Sequence, residues 1–257
     1  MSDTFSPKPV ERKPRSILDR LDDSERRPTH LKALFYGAPG TGKTYLIGTA
    51  PNVLLLDVDG GATTVRESPN VTIYRIKEWA DLNDALYTLM FEDHGFETVA
   101  IDTITTLQEV VNRETGLLQV LESNGDPRRA YAKSATMLRH KLVQFAQLPM
   151  HVIFTAHMRF NDGPDDVVDP EEGKFLMVPD VQPSVQRVAF ALPDVIGRTF
   201  LKDMGNGEFK HAIAFGPDGR AVGKERNFGL PKEATGLTIP YLIKQVTEEP
   251  KKKKEAA

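Results

Sequence analysis

The sequence predicts an α/β domain: a mostly parallel sheet with helices on both faces, followed by a β-rich carboxyl third. Three observations predict it. Short, almost wholly apolar runs such as Leu31 to Tyr36, Val53 to Asp57 and Thr98 to Ile101 have strand length and the composition of strands buried on both faces. Longer stretches between them place apolar residues at helical spacing, as in Trp79, Leu82, Leu86 and Leu89. Beyond His157 this alternation stops, and two β-type runs flank an Asn206-Gly207 pair, the chemistry of a hairpin turn.

In chain order, residues 1–29 are polar, carry three prolines before Ser16 and mix both charge signs, which predicts a flexible arm. Within it Ile17, Leu18 and Leu21 make one apolar helical turn, either docking on a neighbouring subunit or lying in a merely solvated tail. The folded domain is predicted at 30–247. Leu31 to Tyr36 is its first strand, and Tyr45 to Ala50 a helix that Pro51 stops. Strands follow at Val53 to Asp57 and Val71 to Ile76, then the helix from Trp79, then the strand that Asp102 ends. Helical stretches at 106–122 and 128–148 are split by the Ser-Asn-Gly-Asp-Pro turn at 123–127. His151 to Thr155 is the next strand, and the acidic, turn-rich 161–172 a surface loop or hairpin tip. Val195 to Leu201 and His211 to Phe215 form the hairpin, which is expected on the edge of the core sheet. Residues 248–257 are a basic tail around Lys251 to Lys254, solvated or in contact with phosphate backbone.

Composition narrows the function. With 33 Lys and Arg against 36 Asp and Glu, no global positive charge marks a nucleic-acid binder, so any such contact needs a local patch. The absence of cysteine excludes disulfides, thiolate metal sites and a cysteine nucleophile, and suits a reducing compartment. No apolar run has membrane-spanning length and the start lacks a signal-peptide core, so a cytoplasmic protein without membrane contact is expected.

The strongest signal is Gly37-Ala38-Pro39-Gly40-Thr41-Gly42-Lys43-Thr44, a complete G-x-x-x-x-G-K-[ST] phosphate loop between a predicted strand and a predicted helix. Its glycines let backbone N–H groups converge on phosphate oxygens. Lys43 supplies charge for the β- and γ-phosphates, Thr44 a hydroxyl for Mg²⁺, and the helix running on through Tyr45 points its positive end at the same anion. ATP with Mg²⁺ is the implied ligand pair.

A triphosphate hydrolase also needs a carboxylate near Mg²⁺, an orienter for water and positive charge at the γ-phosphate. Asp102, ending a strand of hydrophobes, is the candidate metal residue, or else the cap of the helix that follows. Asp57 and Asp59 are spaced by two, which on a strand turns both to one side. Asp59 is the candidate for polarising water, or else half of a turn-forming Asp-Gly pair. His157, at the end of its strand, is the candidate γ-phosphate sensor, or an ordinary structural histidine. Lys224 and Arg226 flank one acid and are either exposed loop charges or fingers inserted into a neighbour's site.

Together these residues resemble the RecA-like P-loop ATPases, in particular the phage nucleotide-binding proteins that act as single-strand annealing recombinases. The resemblance covers about residues 30–230 and rests on the phosphate loop, on Asp57-Val-Asp59-Gly-Gly, on Ile-Asp102-Thr, on the run to His157-Met-Arg159, and on Lys224-Glu-Arg226. Asp59 stands where the family carries its catalytic glutamate, His157 where it carries a sensor glutamine, and Lys224 and Arg226 where archaeal-type recombinases carry a Lys-x-Arg finger. The resemblance implies a RecA core with the sensor strand between the two Walker strands, ATP hydrolysis stimulated by DNA, and homo-oligomeric rings or filaments. It further implies single-stranded DNA and a single-strand DNA-binding protein as partners, and a bacterial host cytoplasm.

The DNA contact has two candidate sites. The segment after Met158 corresponds to a DNA-binding loop in RecA relatives, yet Asp162, Asp165, Asp166, Asp169, Glu171 and Glu172 make it repel phosphate. Arg128, Arg129, Lys133, Arg139 and Lys141, with Tyr131 for stacking, offer a positive track instead, or simply an exposed helix face. The loop wording also resembles AAA+ ATPases, which implies a remodelling or loader role, although that class expects Asp-Glu where Asp102 is followed by Thr103. A third reading is an ATP-gated DNA-binding scaffold with little turnover.

Overall fold

The computed structural model describes residues 27–123, 126–161, 176–205, 207–216 and 220–248. Its centre is a parallel sheet of β1 (Lys32–Gly37), β2 (Val53–Asp57), β3 (Val71–Arg75), β4 (Thr98–Asp102) and β5 (His151–Phe160). The order β1-β5-β4-β2-β3 places β5 between the strand that feeds the phosphate loop and the strand that ends in Asp102. This is the strand order that the resemblance implies, and the mixed α/β class with a mostly parallel sheet is the one expected.

The helices are α1 (Lys43–Ile47), α2 (Trp79–Phe91), α3 (Ile104–Glu114), α4 (Leu117–Glu122), α5 (Pro127–Ala146), α6 (Pro183–Ala191) and α7 (Ile239–Thr247), with a short 3-10 turn at Ala62–Val65. Because side chains alternate along a strand, β1 sends Leu34 and Tyr36 to one face and Ala33 and Phe35 to the other. Each pair seeds a separate core: the first with α2, α3, α5 and α6, the second with α1 and α7. Local chemistry agrees with these elements. The Asp126 carboxylate caps α5 by accepting from the Arg128 N–H at 3.0 Å, with Pro127 in the first turn. The side chains of Glu78 and Asp81 form a capping box on α2.

Some sequence expectations change. The helix expected over 106–122 is broken, since Gly116 takes φ 68° and starts α4 anew. Strand β5 runs on to Phe160 because β6 (Met177–Pro179) pairs antiparallel with its outer end. His157 is therefore inside a strand rather than at its end. The carboxyl third joins the edge of the core sheet, as expected: β7 (Val195–Asp203) pairs parallel with β1, then β8 (Phe209–Ala214) and β10 (Glu233–Thr235) continue antiparallel, with β9 (Lys224–Glu225) on the start of β7. Helices α6 and α7 were not anticipated, because Pro183 and Pro240 occupy first-turn positions and look like breakers in a short pattern.

The arm at 1–29 lies outside the described residues except from Arg27, whose guanidinium donates to the Gln245 carbonyl at 2.7 Å and to that of Glu248. Ile17, Leu18, Leu21, the acidic run from Asp162 to Glu172, Asn206 and Lys251 to Lys254 are all outside it. Among the described residues no helix is long and apolar enough to cross a membrane.

At the amino end of the sheet, the His151 ring accepts the Leu31 N–H on Nδ1 at 2.9 Å, with the His30 ring 5.4 Å away. Burial, with the nearby positive charge of His30 and Lys32, lowers its pKa to about 4. The unfolded chain, with an ordinary imidazole near pH 6.5, binds that proton first, so stability present above pH 6.5 is lost as pH falls toward 4. The expected loss is at most about 3 kcal/mol, reduced by the ring's partial exposure. A thermal-melt series over that interval checks it: His151→Gln should flatten the decline, and an unchanged slope would be contrary.

Candidate nucleotide site

The loop between β1 and α1 is built so that two positions accept only glycine. Gly42 holds φ 89°, and a Cβ there would come within 2.9 Å of His211 Nδ1. At Gly37 a Cβ would lie 2.3 Å from the Thr199 carbonyl oxygen. The loop is braced from behind by β7: the Thr41 and Thr199 hydroxyls meet at 2.7 Å, and Thr41 Oγ1 donates to the Ala38 carbonyl at 2.7 Å. Lys43 is buried and folds back over the loop, donating to the carbonyls of Gly37 at 2.9 Å and Ala38 at 3.0 Å. Burial lowers its pKa, against the pull of Asp102 and Asp59.

Asp102 ends β4 and is nearly fully buried. It accepts the Thr44 hydroxyl at 2.7 Å on one oxygen and the Thr155 hydroxyl on the other. Burial raises its pKa, while these hydrogen bonds oppose the shift. A hydroxyl and a carboxylate in direct contact are the oxygen donors that Mg²⁺ takes beside a triphosphate, so Thr44 and Asp102 fit that ion. The alternative of Asp102 as the α3 cap does not hold: the Thr103 hydroxyl caps α3 by accepting from the Thr106 N–H at 3.3 Å.

Asp59 lies beyond the end of β2. Its carboxylate accepts from the Thr103 hydroxyl at 3.2 Å and meets His157 Nε2 at 3.1 Å. Burial works against its ionisation, but hydrogen bonds from His157, Thr106 and Thr103 prevail and hold it below the usual carboxylate range. His157 stands level with Gly37 across the β1–β5 pairing, and its backbone N–H donates to the Thr105 hydroxyl at 3.0 Å.

Asp57 does not share a side with Asp59. Strand β2 ends at Asp57, so the two-residue alternation stops there. Asp57 instead pairs with Arg75 of β3 at 2.9 Å and accepts the Gly60 N–H at 2.8 Å. That brace shapes the turn from which Asp59 projects.

One cleft of about 460 Å³ gathers Pro39, Gly40, Gly42, Lys43, Thr44, Tyr45, Asp59, Asp102 and His157, with Gly37, Ala38 and Thr41 in the loop behind them. Lys224 and Arg226 are elsewhere. Lys224 and Glu225 pair with Ile196 and Val195, which run beside Leu34 and Ala33, toward the end of β1 opposite Gly37. The Lys224 ammonium donates to the carbonyls of Phe190, Ala191 and Pro193 at 2.9, 3.1 and 2.6 Å, closing the end of α6. Arg226 pairs with buried Asp194 at 3.2 Å. Neither reaches this chain's own cleft.

His211 of β8, Thr64, Thr103 and Thr155 also belong to the site and were not anticipated. The hydroxyls carry no motif, and His211 becomes visible only once β7 and β8 are known to extend the sheet from β1. The proposed basic track is corrected in part. Arg128, Arg129, Tyr131 and Lys133 are exposed, but Lys141 is buried, donating to Asn83 at 2.8 Å over the Trp79 ring, and Arg139 donates to the Thr136 hydroxyl at 2.9 Å.

Fold and site together define a nucleotide-binding P-loop ATPase domain. The chain belongs to the AAA domain family, whose model matches residues 29–226. Among solved structures it is similar to the flagellar accessory protein FlaH from Methanocaldococcus jannaschii, at 12% identity and a TM-score of 0.46 over 87% of this chain and 92% of that one. It is also similar to the RadB recombinase, at 14% identity and a TM-score of 0.47 over 85% of this chain and 91% of that one. No curated protein matches the sequence.

Proposed function

We propose that this protein hydrolyses ATP and couples hydrolysis to single-stranded DNA, in phage-type recombination or annealing. The observation that supports hydrolysis best is the division of two carboxylates around one cleft. Asp102 is engaged by Thr44, the metal-binding hydroxyl, and Asp59 is held ionised by His157 and Thr103. An ionised carboxylate at that place orients a water and takes its proton, while the loop N–H groups and Lys43 hold the phosphates. Bound Mg²⁺ supplies charge neutralisation at the phosphate oxygens.

The DNA part rests on Arg128, Arg129 and Lys133 exposed on the first turns of α5, with Tyr131 43% exposed beside them as a stacking surface. Phosphate release with and without a single-stranded oligonucleotide tests it. Stimulation is expected, and charge reversal at Arg129 and Lys133 should remove it while leaving the unstimulated rate. Equal rates with and without DNA would favour the second reading, a remodelling or loader ATPase, for which membership in the AAA domain family speaks.

Assembly is part of the proposal, because none of the described residues that line the cleft is an arginine. Arg226, with its side chain 52% exposed, is the residue to test as a finger given to a neighbouring subunit. Arg226→Ala should lower turnover on the order of 10³-fold. Mixing it with Lys43→Ala should restore part of the activity, since some interfaces then pair an intact loop with an intact Arg226. A co-assembled mixture with no recovery would remove that role from Arg226.

A further inference from the structure

The phosphate cleft opens beside a second, more apolar recess, and both are bordered by Gly42, Tyr45 and His211. The rings come from distant parts of the chain. Tyr45 stands on the first turn of α1, 61% exposed although aromatic and next to the phosphate loop. His211 stands on β8, its ring lying directly over Gly42, where only glycine leaves room for it. The rest of the recess is formed by residues such as Leu46, Ala212, Ile213 and Leu237. Its two hydroxyls are already engaged, Thr199 meeting Thr41 at 2.7 Å and Thr41 donating to the Ala38 carbonyl at 2.7 Å. The recess holds no amide or carboxylate side chain among the described residues.

We propose that Tyr45 and His211 form a stacking clip for the nucleobase of the bound triphosphate, one that prefers purines to pyrimidines but does not separate adenine from guanine. This rests on the nucleotide reading above and concerns which nucleotides the site takes. Aromatic stacking depends on the area of the base's π-face, which is larger in a purine and similar in adenine and guanine. Discrimination between those two requires groups placed to hydrogen-bond the base edge, and a recess without an amide or carboxylate side chain rejects an analogue only weakly. The protein is therefore a purine nucleoside triphosphatase rather than a strict ATPase.

Isothermal titration of the full chain with Mg²⁺ and, in turn, ATP, GTP, CTP and inorganic tripolyphosphate tests the clip. ATP and GTP are expected within about fivefold of each other, with CTP about tenfold or more weaker. His211→Ala should weaken ATP and GTP about tenfold more than it weakens tripolyphosphate, because the ring borders both the phosphate cleft and the recess but gives its face to the base. Preference for ATP over GTP by 100-fold or more would overturn the proposal. So would undiminished purine affinity in both His211→Ala and Tyr45→Ala, with tripolyphosphate still bound. Failure of tripolyphosphate and every nucleotide to bind the unaltered chain would instead overturn the phosphate-loop reading, and the clip with it.

Discussion

Lys43→Ala should abolish Mg²⁺-dependent ATP turnover, by 10²-fold or more, while the protein stays folded. The side chain is buried, yet its partners are the Gly37 and Ala38 carbonyls of the loop itself, so its removal leaves no apolar cavity and no unpaired charge in either hydrophobic core. What disappears is the cation that offsets phosphate charge, a preorganised electrostatic contribution of the order of 10²- to 10³-fold in rate. Phosphate release measured beside a thermal melt separates the two effects. A variant that melts as the unaltered protein does but releases no phosphate fits; one that turns over normally removes the loop from the chemistry.

Asp59→Asn should keep ATP bound and lose hydrolysis, by about 10²- to 10⁴-fold, the usual contribution of a positioned base. Asparagine preserves the shape and can still accept from the Thr103 hydroxyl that Asp59 meets at 3.2 Å, so the site keeps its geometry and loses the proton acceptor. Asp102→Asn should behave differently. The Asp102 carboxylate touches Thr44 and Thr155, and neutralising it removes charge from the metal position, weakening Mg²⁺-dependent binding itself. Nucleotide retention after rapid desalting, read alongside phosphate release, distinguishes a trapped complex from an empty one. Normal hydrolysis by Asp59→Asn would return Asp59 to a turn role.

The centre of the parallel core was legible in the sequence because β1, β2 and β4 are buried on both faces and so are written as almost wholly apolar runs: Leu31 to Tyr36, Val53 to Leu56 and Thr98 to Ile101 need no context to be recognised. The phosphate loop was legible because glycine, lysine and threonine are required there at fixed spacing. Asp102 and Asp59 followed because each ends or follows such a run. The remainder was set by tertiary pairing. His157 gained its partner from Asp59, 98 residues earlier, and β5 gained its last residues from β6, whose three-residue length leaves no pattern to read. Asp57 looked equivalent to Asp59 until Arg75 arrived from β3 to claim it. Lys141, counted among surface charges, was buried by Asn83 and Trp79 of α2, a helix more than fifty residues away. Local composition speaks for burial and for fixed motifs, and is silent about which of several like residues a distant strand will engage.

A single-turnover experiment is the most direct test of hydrolysis at this cleft: enzyme in excess over radiolabelled ATP, with Mg²⁺, quenched over time for the unaltered chain and Asp59→Asn together. The unaltered chain should convert bound ATP to ADP and phosphate, while Asp59→Asn retains intact ATP over the same interval. Bound ATP that stays intact on the unaltered chain, with and without single-stranded DNA, would contradict hydrolysis at this site and leave a nucleotide-gated binding protein in its place.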